Sequence, residues 1–178
     1  MCFFNKETYG FKKKPSITGN DGLWKINNWS VALKKLGFKF CDIDKLIEKE
    51  MQMTVADIFS QKGEPFFRSV EEKIVLKALQ NKRSIISLGG GAFFNDKIRK
   101  EIIMNHVSFW LNWSSKTLLN RIRKSAKRPI ANKLSNKELI DLIYKRKKIY
   151  TKAKFKINCD KLSKQQILLN IQRAYETI

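Results

Sequence analysis

Short apolar runs alternate along the chain with stretches whose apolar positions recur every three or four residues. The runs read as strands and the periodic stretches as helices. Phe38–Cys41 (FKFC) is the first clear strand. Helices follow over Asp44–Met51 and Thr54–Ser60, and Glu71–Leu79 continues helical, with Val75 and Leu79 one turn apart. Ser84–Leu88 (SIISL) is a strand that runs into Gly89-Gly90-Gly91. Asp96–Met104 predicts a helix, Val107–Leu111 (VSFWL) a strand and Thr117–Ala126 a basic helix. Ser135 and Glu138 have capping-box spacing and open a helix to about Tyr150. Ile157–Cys159 is a candidate last strand, and Ser163 with Gln166 caps a final helix.

Strands separated by helices imply βαβ units, hence a parallel sheet covered on both faces. In such sheets ligands sit beyond the carboxyl ends of the strands. Asp42, Asp44 and Gly89–Gly91 all fall there. No internal repeat, linker or second domain interrupts the pattern, so residues 1–178 read as one domain.

Composition narrows the class. Hydrophobic residues make up 43% of the 178, enough for a buried core, and 8 Gly with 3 Pro exclude collagen-like repeats. No apolar run approaches the ~20 residues that span a bilayer. The opening MCFFNKETYGFKKKP has no charged segment followed by an apolar one, so no secretory signal is expected. Cys2, Cys41 and Cys159 are an odd number without CxxC spacing, which points away from a disulfide framework or zinc site and towards a reducing, cytoplasmic location. The single His106 excludes a His-cluster metal site. Trp110 and Trp113 read as core and turn packing, and Met51 and Met53 as packing rather than function.

Lys+Arg 37 against Asp+Glu 16 gives a net charge of +21. Nucleic-acid binding is one reading and solvated lysines over helix faces the other. The lysines are scattered, with no aromatic stacking platform or recognition helix, which favours the second. A positive field also suits an anionic small substrate.

The candidate chemistry lies at the strand ends. Asp42 and Asp44 can divide labour, one towards a metal and the other orienting a hydroxyl. Asp44 before Lys45-Leu46-Ile47 is equally a good helix N-cap. Three consecutive glycines at 89–91 exceed what a turn requires and let a ligand approach the backbone. Arg68 in GEPFFRSVEE, Arg128 in KRPI and Arg146 in YKRKKIY can each grip a carboxylate or phosphate bidentately, or lie at the surface.

In order and spacing, the segments LGFKFCDID, TVADIFSQKGEPFFRSVEE, SIISLGGGAF, KRPI and YKRKKIY resemble shikimate kinase, a small P-loop kinase of the nucleoside-monophosphate-kinase type. The resemblance runs from about Lys34 to the C-terminus. It implies a three-layer α/β/α sandwich on a roughly five-stranded parallel sheet, acting as a cytoplasmic monomer without nucleic-acid or membrane partners. It implies ATP-dependent phosphorylation of the 3-hydroxyl of shikimate, with Mg2+, in aromatic amino-acid biosynthesis. By the same resemblance, Asp44 holds the shikimate hydroxyls and accepts a proton. Arg68 and Arg146 grip the carboxylate, and Gly89, Gly90 and Gly91 pack their backbone against the ring. Asp42 orients the magnesium shell. Gly19, Gly22, Lys25, Arg121 and Arg128 serve the nucleotide, Lys25 and Arg128 also acting in catalysis, with Arg128 carried on a lid at about residues 126–135.

The first motif of that family departs from its pattern. A phosphate cradle needs a strand, then G-x-x-x-x-G-K-[ST] and a helix. At that place the chain reads Gly19-Asn-Asp-Gly22-Leu-Trp24-Lys25-Ile26. Trp24 stands where a glycine belongs and blocks close approach to phosphate. Ile26 replaces a hydroxyl and cannot ligate magnesium. Residues 1–33 are thus degenerate, leaving a pseudo-kinase, or out of frame. Trp has one codon, TGG, so Trp24 followed by Lys25 becomes glycine when read one nucleotide later. Trp29 before Ser30 does the same. Permitted codons for Asn20–Trp29 then give M-M-G-S-G-K-S-T-I-G, and those for Tyr9–Gly19 give M-G-L-K-K-N-L-V-L-L-G, a strand and start methionine. A compensating slip near Ser30–Leu33 restores the family pattern. A local frameshift is favoured over gradual decay, which has no reason to leave a recoverable motif. Rival readings are another small-molecule kinase of this fold and a basic nucleic-acid-binding relic.

Overall fold

The computed structural model describes residues 2–5, 18–19, 39–81, 84–123 and 134–178. Its elements are β1 (Cys2–Asn5), β2 (Thr18–Gly19), β3 (Lys39–Asp42), α1 (Ile43–Met51), α2 (Val55–Leu79), β4 (Ser84–Ser87), α3 (Asp96–Asn105), β5 (His106–Asn112), α4 (Ser115–Arg123), α5 (Asn136–Tyr150), β6 (Phe155–Asn158) and α6 (Lys164–Glu176). A 3-10 turn, Ala92–Phe94, links β4 to α3.

The parallel α/β reading holds. β3 pairs in parallel with β4, Lys39 opposite Ser84 through Asp42 opposite Ser87. β5 pairs in parallel with β6 and with the two residues of β2. Phe109 registers with both Cys2 and Phe155, and Trp110 with both Thr18 and Lys156. A residue pairs once on each side, so β1 and β2 share one edge of β5 and β6 takes the other. β1 also lies alongside β4. It runs antiparallel to β5, the one pairing of that sense among the described residues. β2 is described over two residues, Thr18–Gly19.

Two cores flank the sheet. Ile86, Leu88 and Trp110 pack with α1, α2 and α3 on one face. Ile85, Val107, Phe109, Leu111 and Ile157 pack with α4, α5 and α6 on the other. Residues adjacent in β4 and in β5 enter opposite cores because strand side chains alternate. Trp110 is core, and Met51 and Met53 pack against it.

Caps set the helix starts. Ser135 with Glu138 and Ser163 with Gln166 form the two expected capping boxes. The cap of α1 is Asp42 rather than Asp44. β3 extends one residue past Cys41, so the free Lys45 N–H donates to the Asp42 carboxylate at 3.3 Å, and Asp44 falls in the first helical turn. The helical stretches expected within residues 54–79 are present, as two helices that meet at a kink at Gly63, whose φ of 80° and ψ of 169° are not helical. Pro65, two residues on, lies where the second half restarts and its missing N–H costs nothing.

Candidate active site

The carboxyl ends of β3 and β4 bring four segments together. Asp44 rises from the first turn of α1 and Gly89 follows β4. A Cβ on Gly89 would lie 3.2 Å from Asp44 Oδ1 and 3.4 Å from Glu71 Oε1, so two carboxylates cover this glycine. At Gly91 a Cβ would lie 2.5–2.6 Å from Nη1, Cζ and Nη2 of Arg68. The glycines therefore do what a larger residue cannot: they admit an aspartate and a guanidinium against the strand-end backbone.

Arg68 is held on several sides. Nη1 donates to Glu71 Oε2 at 2.7 Å, while Nε and Nη2 donate to Glu64 Oε1 at 3.1 and 3.0 Å. Its Cζ lies 5.2 Å from the Phe67 ring centroid and 5.9 Å from that of Phe59, within cation–π range. Burial works against the Arg68 charge, but Glu71 and Glu64 outweigh it and its pKa rises. Glu71 is buried, 2% exposed. Burial pushes its carboxyl above the ordinary range, against the opposing pull of Arg68 and, more weakly, Arg146.

Arg146 lies on α5, and its charge acts on Glu71. Tyr150, one turn further along the helix, donates its hydroxyl to the Gly90 carbonyl and is buried against Phe93, Phe94 and Trp110. That bond ties α5 to the glycine loop. Asp44 and Arg68 thus lie against Gly89 and Gly91, Gly90 is tied to Tyr150, and Arg146 acts on Glu71 through its charge. Glu64, Glu71 and Tyr150 were given no role. The spacings F-R-x-x-E and R-x-x-x-Y contain two of them, and only burial shows what they hold.

The nucleotide-side candidates separate. Gly19 ends β2, paired with Leu111. Gly22, Lys25, Arg128 and residues 126–133 of the expected lid lie outside the described residues. Arg121 sits with its Cζ 4.9 Å from the Trp113 ring centroid, near Asp160, which accepts from the Ser114 N–H at 2.8 Å and its hydroxyl at 2.9 Å. Arg123 donates to the Leu134 carbonyl at 2.7 Å and to Asn136, tying the two ends of segment 124–133 together. Among the described residues no cluster of three metal-ligating side chains occurs, and no helix is long and apolar enough to cross a membrane.

The sequence model described as shikimate kinase matches residues 31–176. The chain belongs to the shikimate kinase family. It is 35% identical over 152 residues to the shikimate kinase of Bartonella henselae, covering 83% of this chain and 72% of that protein. It is 32% identical over 163 residues to that of Thermodesulfovibrio yellowstonii, covering 91% and 94%. The crystal structure of shikimate kinase from Bacteroides thetaiotaomicron superposes with a TM-score of 0.71 at 28% identity, covering 90% of this chain and 96% of that one. The Acinetobacter baumannii enzyme in complex with shikimate gives 0.77 at 20%, a likeness of fold, covering 91% and 93%. Membership of the shikimate kinases makes the chain a small-molecule kinase, a phosphotransferase with an alcohol acceptor and ATP as donor. The match begins at residue 31, within the Ser30–Leu33 stretch where the reading frame would be restored.

Proposed function

We propose that the converged group is the acceptor site for shikimate, with the roles divided by chemistry. The observation that carries this reading is the placement of Asp44 over Gly89 and of the Arg68 guanidinium over Gly91, with the Arg146 charge acting on Glu71 between them. Two guanidiniums at one end suit a carboxylate, and a carboxylate at the other suits hydroxyls. Arg68 and Arg146 hold the acid, and the glycine backbone supports the ring. Asp44 hydrogen-bonds the ring hydroxyls. As the 3-hydroxyl oxygen attacks the γ-phosphorus of ATP, its proton passes to the Asp44 carboxylate. The bond from phosphorus to the bridging oxygen breaks, and ADP leaves with that electron pair. Positioning and charge neutralisation carry the rate more than covalent chemistry. Glu71 fixes the Arg68 guanidinium and Tyr150 fixes the loop, so both act as positioning residues.

On the donor side, Gly19, Gly22, Lys25, Arg121 and Arg128 would serve the nucleotide and Asp42 the shell of Mg2+. The donor set as written fits magnesium poorly: Asp42 is engaged as a helix cap and Ile26 offers no oxygen. No step is therefore assigned to the metal in the chain as written. Two free, buried thiols, Cys41 and Cys159, suit the reducing cytoplasm in which we place the protein as a monomer.

Calorimetric titration of the chain with shikimate, without nucleotide, tests the acceptor site. Saturable binding that falls at least ten-fold in Arg68→Met and in Arg146→Met is expected. No heat at millimolar shikimate, or a phosphate-bearing or neutral acceptor that binds better, would overturn the assignment.

A further inference from the structure

Arg68 can grip an external carboxylate only through the edges of its guanidinium, because its flat face lies against Gly91 and the Phe67 ring. The Nη1 end belongs to Glu71, which is buried and has nowhere to go. The Nε/Nη2 edge, the geometry that a carboxylate favours, is filled by Glu64. Glu64 differs from Glu71 in every respect that bears on mobility. Its side chain is 50% exposed. It follows Gly63, whose φ of 80° breaks α2, and precedes Pro65. Its backbone thus sits at a helix break, where a small change of dihedral angle redirects the side chain.

Charge makes the same point. Asp44, Glu64 and Glu71 face two guanidiniums, Arg68 and Arg146, so the group already holds more carboxylates than cations. An acid substrate arriving with Glu64 in place would add a fourth carboxylate beside the same two arginines. Like charges at such distances repel, and the member with least burial to lose is the one that leaves.

We propose that Glu64 is a resident stand-in for the substrate carboxylate: it occupies the Nε/Nη2 edge of Arg68 in the ligand-free chain and is displaced, at the Gly63 break, when the acid binds. The device keeps Arg68 extended and its edge aligned before substrate arrives, and makes entry an exchange of one carboxylate for another. It discriminates against weakly basic or neutral ligands, which cannot compete for the edge. This inference rests on the assignment of the group to shikimate.

The test is shikimate binding by calorimetry to the full chain and to Glu64→Gln and Glu64→Ala, with thermal melts to show that all three fold. Removing an exposed competitor should tighten binding by roughly three-fold or more. The gain should shrink as salt is raised, because wild type exchanges one screened carboxylate pair for another while the variants only lose attraction for the acid. Weaker or equal binding by both variants, with wild type binding normally, would show that Glu64 only positions Arg68. That outcome overturns the exchange and leaves the shikimate site standing. Failure of all three proteins to bind would overturn the site and the exchange together.

Discussion

Gly91 and Arg68 are packed so closely that no side chain fits between them. A Cβ at 91 would sit 2.5 Å from Arg68 Nη1 and 2.6 Å from Cζ, well inside any real contact. The guanidinium is the far end of a long side chain, so it yields before the backbone does, at the expense of its alignment with Glu64 and Glu71. Gly91→Ala should therefore displace the guanidinium rather than unfold the loop. Shikimate binding is expected to weaken about ten-fold or more, because a misplaced gripping group loses its alignment. The melting temperature should move little. Unchanged affinity in Gly91→Ala would mean that the guanidinium does not hold the acid from this position.

Glu71 links stability to pH. Its folded pKa is raised, with burial the larger cause, so the native state binds this proton more tightly than the unfolded chain does. Stability from this group is fully present below the ordinary glutamate range. It is lost as pH rises from there through the raised folded value, and is flat above it. Replacing the carboxylate with an amide removes the slope. The difference in unfolding free energy between wild type and Glu71→Gln should therefore change across that window and nowhere else. Above it, where wild type carries the buried charge and the amide does not, the balance should have moved in favour of the variant. Chemical denaturation at several pH values measures both, and parallel stability curves for the two proteins would refute the linkage.

Asp42 has two jobs that one pair of variants can separate. Its carboxylate caps α1 through the Lys45 N–H, and under the proposed function it also orients magnesium. Asparagine keeps the cap and removes the charge; alanine removes both. Asp42→Ala should lose about 1 kcal/mol of stability and Asp42→Asn only tenths. In a chain with an intact phosphate loop, both should lose magnesium-dependent turnover. Full turnover by the asparagine variant would leave the cap as the sole role.

The acceptor side was legible because its signals are local. Asp44 follows a strand, the glycines follow another, and Arg68 and Arg146 stand in short spaced runs. What joined them was not legible. Glu71 sits three residues after Arg68 in a helix rich in ordinary charged pairs, and nothing in the spacing announces that it is buried. Gly63, at φ 80°, divides α2 into two helical stretches that meet at a kink, and no apolar period in the sequence marks that angle. The cap moved from Asp44 to Asp42 because strand length is fixed by pairing with β4, a non-local partner. β1 depends on β5 in the same way, four residues whose direction no local pattern specifies.

That reversed strand bears on the nucleotide side. In a P-loop kinase the phosphate cradle follows the carboxyl end of a parallel strand. Among the described residues, the edge of β5 carries antiparallel Cys2–Asn5 and, in parallel, Thr18–Gly19. The carboxyl end of an antiparallel strand points to the opposite end of the sheet from Asp44 and Arg68, so β1 cannot launch the cradle. The alternative reading of Tyr9–Gly19, with its L-V-L-L-G run, supplies a parallel strand ending at the right place, followed by G-S-G-K-S-T. The family match begins at residue 31, within the stretch where the frames would rejoin. Sequencing the nucleic acid behind residues 9–33 should reveal this shifted phosphate loop, and its absence would end the frameshift hypothesis. A protein carrying the restored segment should gain kinase turnover of order 100-fold or more over the chain as written, the scale set by aligned charge-stabilising donors. Its shikimate affinity without nucleotide should stay the same, because the acceptor group lies wholly in residues 44–150. Comparable turnover from the unrestored chain would show that Trp24 and Ile26 are compatible with phosphate binding.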